Sequence, residues 1–549
     1  MVAHGRSRHE TSVLEPSIDR TFRTVVIITQ FFNTSPHTMF HRLTSSASVV
    51  SAQRHIAELI AQHAEWFLTP GQSEVQALRR YELEVSVQQD RLVLSCWTDK
   101  GNRSWRILGW HWSGQILYLQ ASRRMGAERP VIEMIPRASA AAVAATIRAS
   151  RQHRCDQIAQ LTSALELETK IERSTLSPGI RRGQPGRYAR IVLRRKRERI
   201  AVTGSVISSS GSGVDALLSA SLLWFKRTSE RARSPYIEQL WLIVSEDLVQ
   251  PLFHRVMLLR DSVKSIIKIF VVDDELMTIK EAPLPDERVV WKRRLARFPP
   301  VPPAKISKLI SEIIVQAPDA IDVVHARHGE TIRYFGLPFA RARSLLGVEK
   351  IWFGIEGAHR QVLDQRTLPD FYNLMAELRQ YRCAGAMDHR HAFYRNAAEA
   401  WLESLLRKDI TKLDPGMIIA PIHAQFRTAR GGKLGVRPID MLALRQDGRL
   451  VVIELKVSED REHVLQGADY WRRVEAHRRR GHIAKAKLFG GRKIRDESPL
   501  VYLVAPTLRF HPSFQTLARC VSTEIELYRF DINEDWRSGV RVMRRMKVN

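Results

Sequence analysis

Asp440, Glu454 and Lys456 are the side chains from which a hydrolytic site could be built, and the residues between them say how they are held. They lie in Arg437-Pro-Ile-Asp-Met-Leu-Ala-Leu-Arg-Gln-Asp-Gly-Arg-Leu-Val-Val-Ile-Glu-Leu-Lys-Val457, where two apolar runs flank Gln446-Asp447-Gly448. That triplet suits a three-residue hairpin loop with Gly448 in the left-handed position. Arg445 then faces Arg449, Asp440 lies opposite Glu454, and Pro438 lies opposite Lys456. Opposed residues place their Cβ atoms about 4.5–5.5 Å apart, and residues two apart on a strand share a face. The three side chains therefore project from one side of one hairpin. Two carboxylates this close repel unless positive charge sits between them, and a hard divalent ion such as Mg²⁺ or Mn²⁺ is the natural occupant. Such an ion polarises a phosphodiester oxygen and acidifies a bound water, while Lys456 would orient that water and stabilise developing charge. An isolated Asp with Glu-x-Lys also describes a solvated strand face with an ion pair, so the neighbouring elements decide.

Upstream, Ala397-Ala-Glu-Ala-Trp-Leu-Glu-Ser-Leu-Leu406 has the spacing of an amphipathic helix with Ala398, Trp401, Leu402, Leu405 and Leu406 on its apolar side. Glu399 falls at the edge of that face, within reach of the sheet as a further metal or water ligand. Glu403 is expected toward solvent, paired with Arg407 one turn on. Downstream, 462–477 reads as a helix in which Gln466 and Tyr470 share a face, and Val501 to Ala505 reads as a further core strand.

Helix with Glu, strand with Ile-Asp, turn, strand with Ile-Glu-Leu-Lys, helix with Gln-x-x-x-Tyr: this series resembles the PD-(D/E)XK nuclease superfamily, closest to its RecB-like and NucS-like members. The resemblance covers about 393–504 and departs from the pattern in one residue inserted between Pro438 and Asp440. It implies a restriction-endonuclease-like α/β core in which Asp440, Glu454 and the main-chain carbonyl of Leu455 bind Mg²⁺ or Mn²⁺. It also implies that Lys456 serves the attacking water, that Glu399 is the first-helix acid, and that Gln466 and Tyr470 form the helix motif. The implied activity is metal-dependent phosphodiester hydrolysis, in DNA rather than RNA. A catalytically silent nucleic-acid-binding protein of the same fold and a ligand-gated RNA-cleaving effector are the alternatives.

At 549 residues the chain exceeds one ordinary core, and the pattern predicts a multidomain α/β protein. Residues 1–44 are polar and weakly patterned. Residues 45–180 carry a helical stretch from Ser51 to Phe67, alternating strands of a small antiparallel sheet, and an Ala-rich helix around Ala138 to Arg151. Residues 186–296 read β-β-α-β-α-β, opening with a hairpin across Arg194-Arg195-Lys196-Arg197. That order echoes the C-terminal one without Glu-x-Lys, and fits either a degenerate nuclease-like half or an unrelated sensor. Phe298-Pro-Pro-Val-Pro-Pro303 marks a linker at 297–305, 306–390 reads as an α+β connection, and 391–549 is the candidate nuclease domain.

A formal charge of +28 points to a polyanionic partner, nucleic acid before a membrane surface. Basic clusters at Arg194 to Arg197, Arg472-Arg473, Arg478 to Arg480, Lys485 to Lys487, Arg492-Lys493 and Arg541 to Lys547 are candidates for phosphate contact. Cys96, Cys155, Cys383 and Cys520 are too dispersed for a zinc ribbon or a disulfide framework. No export signal or apolar span is evident, so a cytoplasmic protein without a membrane role is expected, and a homodimer is compatible with the sequence.

Overall fold

The computed structural model describes residues 40–70, 76–98, 101–113, 116–123, 128–136, 140–166, 168–179, 185–207, 213–231, 236–273, 276–285, 306–326, 329–345, 348–355, 360–420 and 440–549. The chain is a multi-sheet α/β protein with an antiparallel half-barrel followed by mixed sheets. The Pro-rich linker, nearly all of 1–44, and Pro438 lie outside the described residues. No described helix is long and apolar enough to cross a membrane.

Helix α1 (Ser46–Ala61) begins where the Ser45 side chain accepts the Ser48 N–H, which satisfies a donor the first turn leaves open. It lays Val49, Ala52, Ile56 and Ile60 on the eight-stranded antiparallel sheet formed between 41 and 136. Phe67, expected at the end of this helix, lies instead in the strand Glu65–Pro70. The Trp66 indole donates to the Ile60 carbonyl at 3.1 Å, so a last-turn acceptor is taken by a side chain and the chain leaves as a strand.

Two units follow whose main elements run in the same order. In the middle unit, helix α2 (Ala140–Ser163) precedes β1 (Thr169–Pro178), β2 (Pro185–Arg195), β3 (Glu198–Ser205), α3 (Val214–Arg231), β4 (Ile237–Val244), α4 (Glu246–Val256), β5 (Ile267–Asp273) and β6 (Thr278–Glu281). A separate five-stranded antiparallel sheet, covering 321–362, then intervenes. It packs with α5 (Lys308–Val315) and α6 (Leu368–Tyr381). In the C-terminal unit, α7 (Ala398–Lys408) precedes β7 (Ile418–Ile419), β8 (Met441–Leu444), β9 (Leu450–Leu455), α8 (His463–Arg479), β10 (Leu500–Pro506), α9 (Phe514–Ala518), β11 (Leu527–Ile532) and β12 (Val542–Lys547).

Both sheets run in sequence order, with the first three strands antiparallel, the third to fifth parallel, and the sixth antiparallel. The sequence pattern groups α2 and β1 with the preceding unit, but Cys155, Ile158 and Ala159 of α2 pack on Ile191, Leu193 and Val202 of the middle sheet. Helix α2 covers one face as α7 covers the corresponding face of the C-terminal sheet with Trp401, Leu402 and Leu406. Its Ala-rich start offered no apolar stripe from which that partner could be read.

The other faces of the two sheets meet in one core. Leu217, Leu218, Leu248 and Leu252 of α3 and α4 share it with Val464, Leu465, Trp471, Phe514 and Leu517 of α8 and α9. The contacts are reciprocal, α3 against α9 and α4 against α8. Just beyond α4 and α9, Leu259 and Val521 form an antiparallel bridge, flanked by Arg260 N–H to the Cys520 carbonyl (2.9 Å) and Ser522 N–H to the Leu258 carbonyl (2.8 Å). The middle unit therefore stands to the C-terminal unit as a pseudo-two-fold partner within one chain. Arg255 of α4 ties the seam: it contacts Asp215 of α3 at 2.9 Å and the fully buried Asp469 of α8 at 3.1 Å.

Candidate active site

The β8–β9 hairpin has the register its loop dictates, with Met441 opposite Ile453 and Leu444 opposite Leu450. Gly448 adopts φ +83°, and its N–H bonds the Arg445 carbonyl at 3.0 Å, a conformation glycine takes without steric cost. Alternation then fixes the faces. Met441, Ala443, Val451, Ile453 and Leu455 face α7, while Leu442, Leu444, Leu450 and Val452 face α8. Asp440, Glu454 and Lys456 continue the second set where β8 and β9 part.

Asp440 is half-buried and held at both ends. Its Oδ2 accepts the Leu455 N–H at 2.9 Å, and its carbonyl accepts Nη2 of Arg407 at 2.9 Å. Glu454 is 1% exposed. Its Oε1 accepts Lys456 Nζ at 2.6 Å, and its Oε2 is buried without a partner. Lys456 Nζ also lies 3.8 Å from Asp460 Oδ2, and the Lys456 N–H extends the ladder to the Val504 carbonyl at 3.0 Å.

Burial, and then the charge of Glu454, raises the Asp440 carboxyl well above its ordinary range. Burial raises Glu454 as well, with Lys456 opposing and Glu399 adding to the rise. Burial works against the charge on Lys456, yet Glu454, Glu399 and Asp440 outweigh it and keep the ammonium protonated. Burial, and then Lys456, pushes His463 down to about 3. Its neutral ring turns Nε2 to the Glu454 carbonyl at 3.2 Å and stacks on Phe510.

Two carboxyls of raised affinity for protons, one with an unpartnered buried oxygen, are short of positive charge, so a hard divalent ion suits the donors present. Among the described residues no three His, Cys, Asp or Glu side chains converge as a ready cage. The fit therefore rests on Asp440 and Glu454, with Glu399 at longer range. Leu455 follows Glu454 directly, its N–H committed to Asp440 and its side chain under α7.

The structure brings Asp440, Glu454 and Lys456 together and keeps Glu399 exposed at the start of α7, near enough for its charge to act on Glu454 and Lys456. Gln466 is 2% exposed; its Nε2 donates to Glu462 Oε2 at 3.1 Å and its Oε1 has no partner. Tyr470 is buried one turn further along, packed among Leu442, Leu444 and Val452. Glu403, expected in solvent, is partly buried: besides Arg407 (2.6 Å) it meets Arg333 at 3.4 Å. Arg333 in turn binds Asp322, which accepts from Ser404.

Several supporting residues carried no sequence signal. Arg382 is fully buried and donates to the carbonyls of Tyr334 (2.8 Å), Phe335 (2.7 Å), Phe393 (2.5 Å), Asn396 (2.8 Å) and Ala397 (3.3 Å). It thereby fixes the segment that launches α7 and Glu399. Ala397, at φ +49°, is the residue that turns the chain into that helix.

In two basic clusters expected on phosphate, four arginines form ion pairs within their own helix. Arg472 and Arg473 pair with Asp469 at 2.7 and 2.5 Å, and Arg478 and Arg479 with Glu475 at 2.6 Å. Lys485, Lys487, Arg492 and Lys493 are exposed, and Lys493 lies at the hairpin turn, where the Arg495 N–H bonds the Gly448 carbonyl at 2.8 Å. Six residues of strand at about 3.3 Å each put that turn roughly 20 Å from Glu454.

In comparison with known proteins, the chain matches no family model, no curated protein and no solved structure.

Proposed function

We propose that the chain is a Mg²⁺- or Mn²⁺-dependent nuclease that hydrolyses phosphodiester bonds in DNA, its C-terminal unit a restriction-endonuclease-like core of the PD-(D/E)XK type. The observation that carries the reading is the convergence of Asp440, Glu454 and Lys456 at the parting of β8 and β9, with a buried Glu454 oxygen left without a partner. A bound divalent ion would supply Lewis acidity and acidify its water. The chain's own groups do the rest. The Leu455 N–H and Arg407 fix Asp440 from two sides, so its carboxylate is preorganised. Neutral His463 steadies the Glu454 main chain without competing for negative charge. Lys456, protonated at neutral pH, is placed to donate to an attacking water and to charge developing on a phosphoryl oxygen. The net charge of +28 supports a polyanionic substrate.

The test is incubation of the full chain with linear, nicked, branched and single-stranded DNA and with RNA, with and without Mg²⁺. Metal-dependent cleavage of DNA is expected, and Lys456→Ala should lower the single-turnover rate by about 10²–10³, the loss typical of one removed charge-stabilising donor. Absence of cleavage on every substrate, or equal cleavage by Lys456→Ala, overturns the reading.

A further inference from the structure

The pseudo-two-fold assigns each residue of the candidate site a counterpart in the middle unit. The parallel ladder β9–β10 ends on Leu455 beside Val504, and β3–β4 ends on Gly204 beside Ile243. Glu454 beside Leu503 thus corresponds to Thr203 beside Leu242, and both leucines belong to the shared core. Lys456 then corresponds to Ser205, and Asp440 to Arg190, which faces Thr203 across the β2–β3 hairpin. Thr203 is buried against Ser221 of α3 at 2.7 Å, and the Arg190 guanidinium lies 5.9 Å from the Trp224 ring of α3. These side chains face α3 as the C-terminal set faces α8. Both carboxylates are gone, and a cation stands where Asp440 would be.

Further arginines gather on the same spot. Burial, then Arg227 of α3, then Arg461 of the C-terminal unit, and Arg173, push Arg190 down to about 10. His511 is lowered by burial and then by Arg461, with Glu459 and Asp460 opposing and Arg227 adding to the fall. Arg227 and Arg461 are exposed, and among the described residues neither they nor Arg190 forms an ion pair with a carboxylate. Of the acids of the Arg461 loop, Asp460 accepts the Glu462 N–H at 2.7 Å and faces Lys456, Glu462 accepts from Gln466, and Glu459 is exposed with its charge acting on His511. Like charges gathered in excess of their counter-charge are costly unless an anion is bound there. Arg461 follows Lys456 by five residues, so the two lie at most about 18 Å apart along the chain, roughly five phosphate steps at 3.4 Å per nucleotide of one strand.

We propose that Arg190, Arg227 and Arg461 form a phosphate-binding site that holds the backbone of the same polynucleotide presented to Asp440, Glu454 and Lys456. The middle unit is then the non-cutting half of an intramolecular pair, and one chain carries one cutting site beside one gripping site. This rests on the nuclease reading for what is cut, but its own test is binding.

Fluorescence anisotropy of labelled duplex DNA with the full chain in EDTA, across a salt series, reads it directly. Arg461→Ala and Arg227→Ala, both at exposed positions, and Arg190→Gln should each lower the salt slope of log K by about one, and weaken binding about five-fold at 0.15 M salt. Unchanged affinity and slope in the two exposed variants overturns the proposal, even if Arg190→Gln fails to fold. Displacement of DNA by inorganic phosphate beyond the effect of chloride at equal ionic strength assigns the site to a small phosphate ligand and overturns it too. Wild-type DNA binding without cleavage in Mg²⁺ overturns the nuclease reading alone.

Discussion

Replacing Asp440 by Asn should stabilise the metal-free protein while abolishing cleavage. An Asn oxygen can still accept the Leu455 N–H that Asp440 Oδ2 accepts at 2.9 Å, and its amide can donate toward Glu454. What disappears is a like-charge pair. Two carboxylates on opposed positions about 5 Å apart repel by roughly 3 kcal/mol at an effective dielectric of 20, and Lys456 offsets part of that. A gain of about 1–3 kcal/mol is therefore expected where both acids are ionised, or roughly 2–6 °C in Tm at about 2 °C per kcal/mol for a unit of this size.

The pH dependence sharpens the test. Asp440 and Glu454 have raised affinities for protons in the fold. The folded state then binds more protons than the unfolded one above the ordinary carboxylate range, and stability falls as pH rises. The wild type in EDTA should lose Tm from mildly acidic pH to pH 9, whereas Asp440→Asn should lose less, so the gap widens with pH. Mg²⁺ should close the gap by stabilising the wild type alone. Thermal unfolding followed by circular dichroism between pH 5 and 9, with EDTA or Mg²⁺, measures all of this. Parallel profiles in EDTA, or an equal Mg²⁺ shift in both proteins, would refute the reasoning.

Two further outcomes follow from the supports. Arg407→Met removes the charged donor to the Asp440 carbonyl and the partner of Glu403; it should raise the Mg²⁺ concentration for half-maximal cleavage several-fold, and an unshifted metal titration counts against Arg407 as a positioning residue. Asp469→Ala leaves Arg255, Arg472 and Arg473 around a missing anion at the buried seam; a loss of about 3–5 kcal/mol is expected, and an unchanged unfolding midpoint in urea would contradict it.

Asp469 shows where sequence reasoning stopped. It sits between Gln466 and Tyr470 on α8, and no local pattern says that its partner is Arg255, 214 positions earlier. The clusters Arg472-Arg473 and Arg478-Arg479 stand one turn from Asp469 and Glu475, so their ion pairs lay within the helix pattern; what the pattern could not show is that both acids are buried. Glu403 left its expected solvent position for a similar reason. The helical wheel placed Glu403 outward, but the five-stranded sheet of 321–362 brings Arg333 over it.

The sequence by itself determined the hairpin. A three-residue loop with Gly448 in the left-handed region sets the register, and strand alternation then puts Asp440, Glu454 and Lys456 on one face; both are local constraints, read within a score of residues. It also carried the order of elements in the middle unit, since apolar periodicity is local too. Only the tertiary structure decided that α2 and β1 complete that unit, that the two units share one core across a pseudo-two-fold, and that Arg190 occupies the place of Asp440. Those facts depend on which apolar faces find each other across hundreds of residues. Burial is indifferent to chain separation, so no window of sequence contains it.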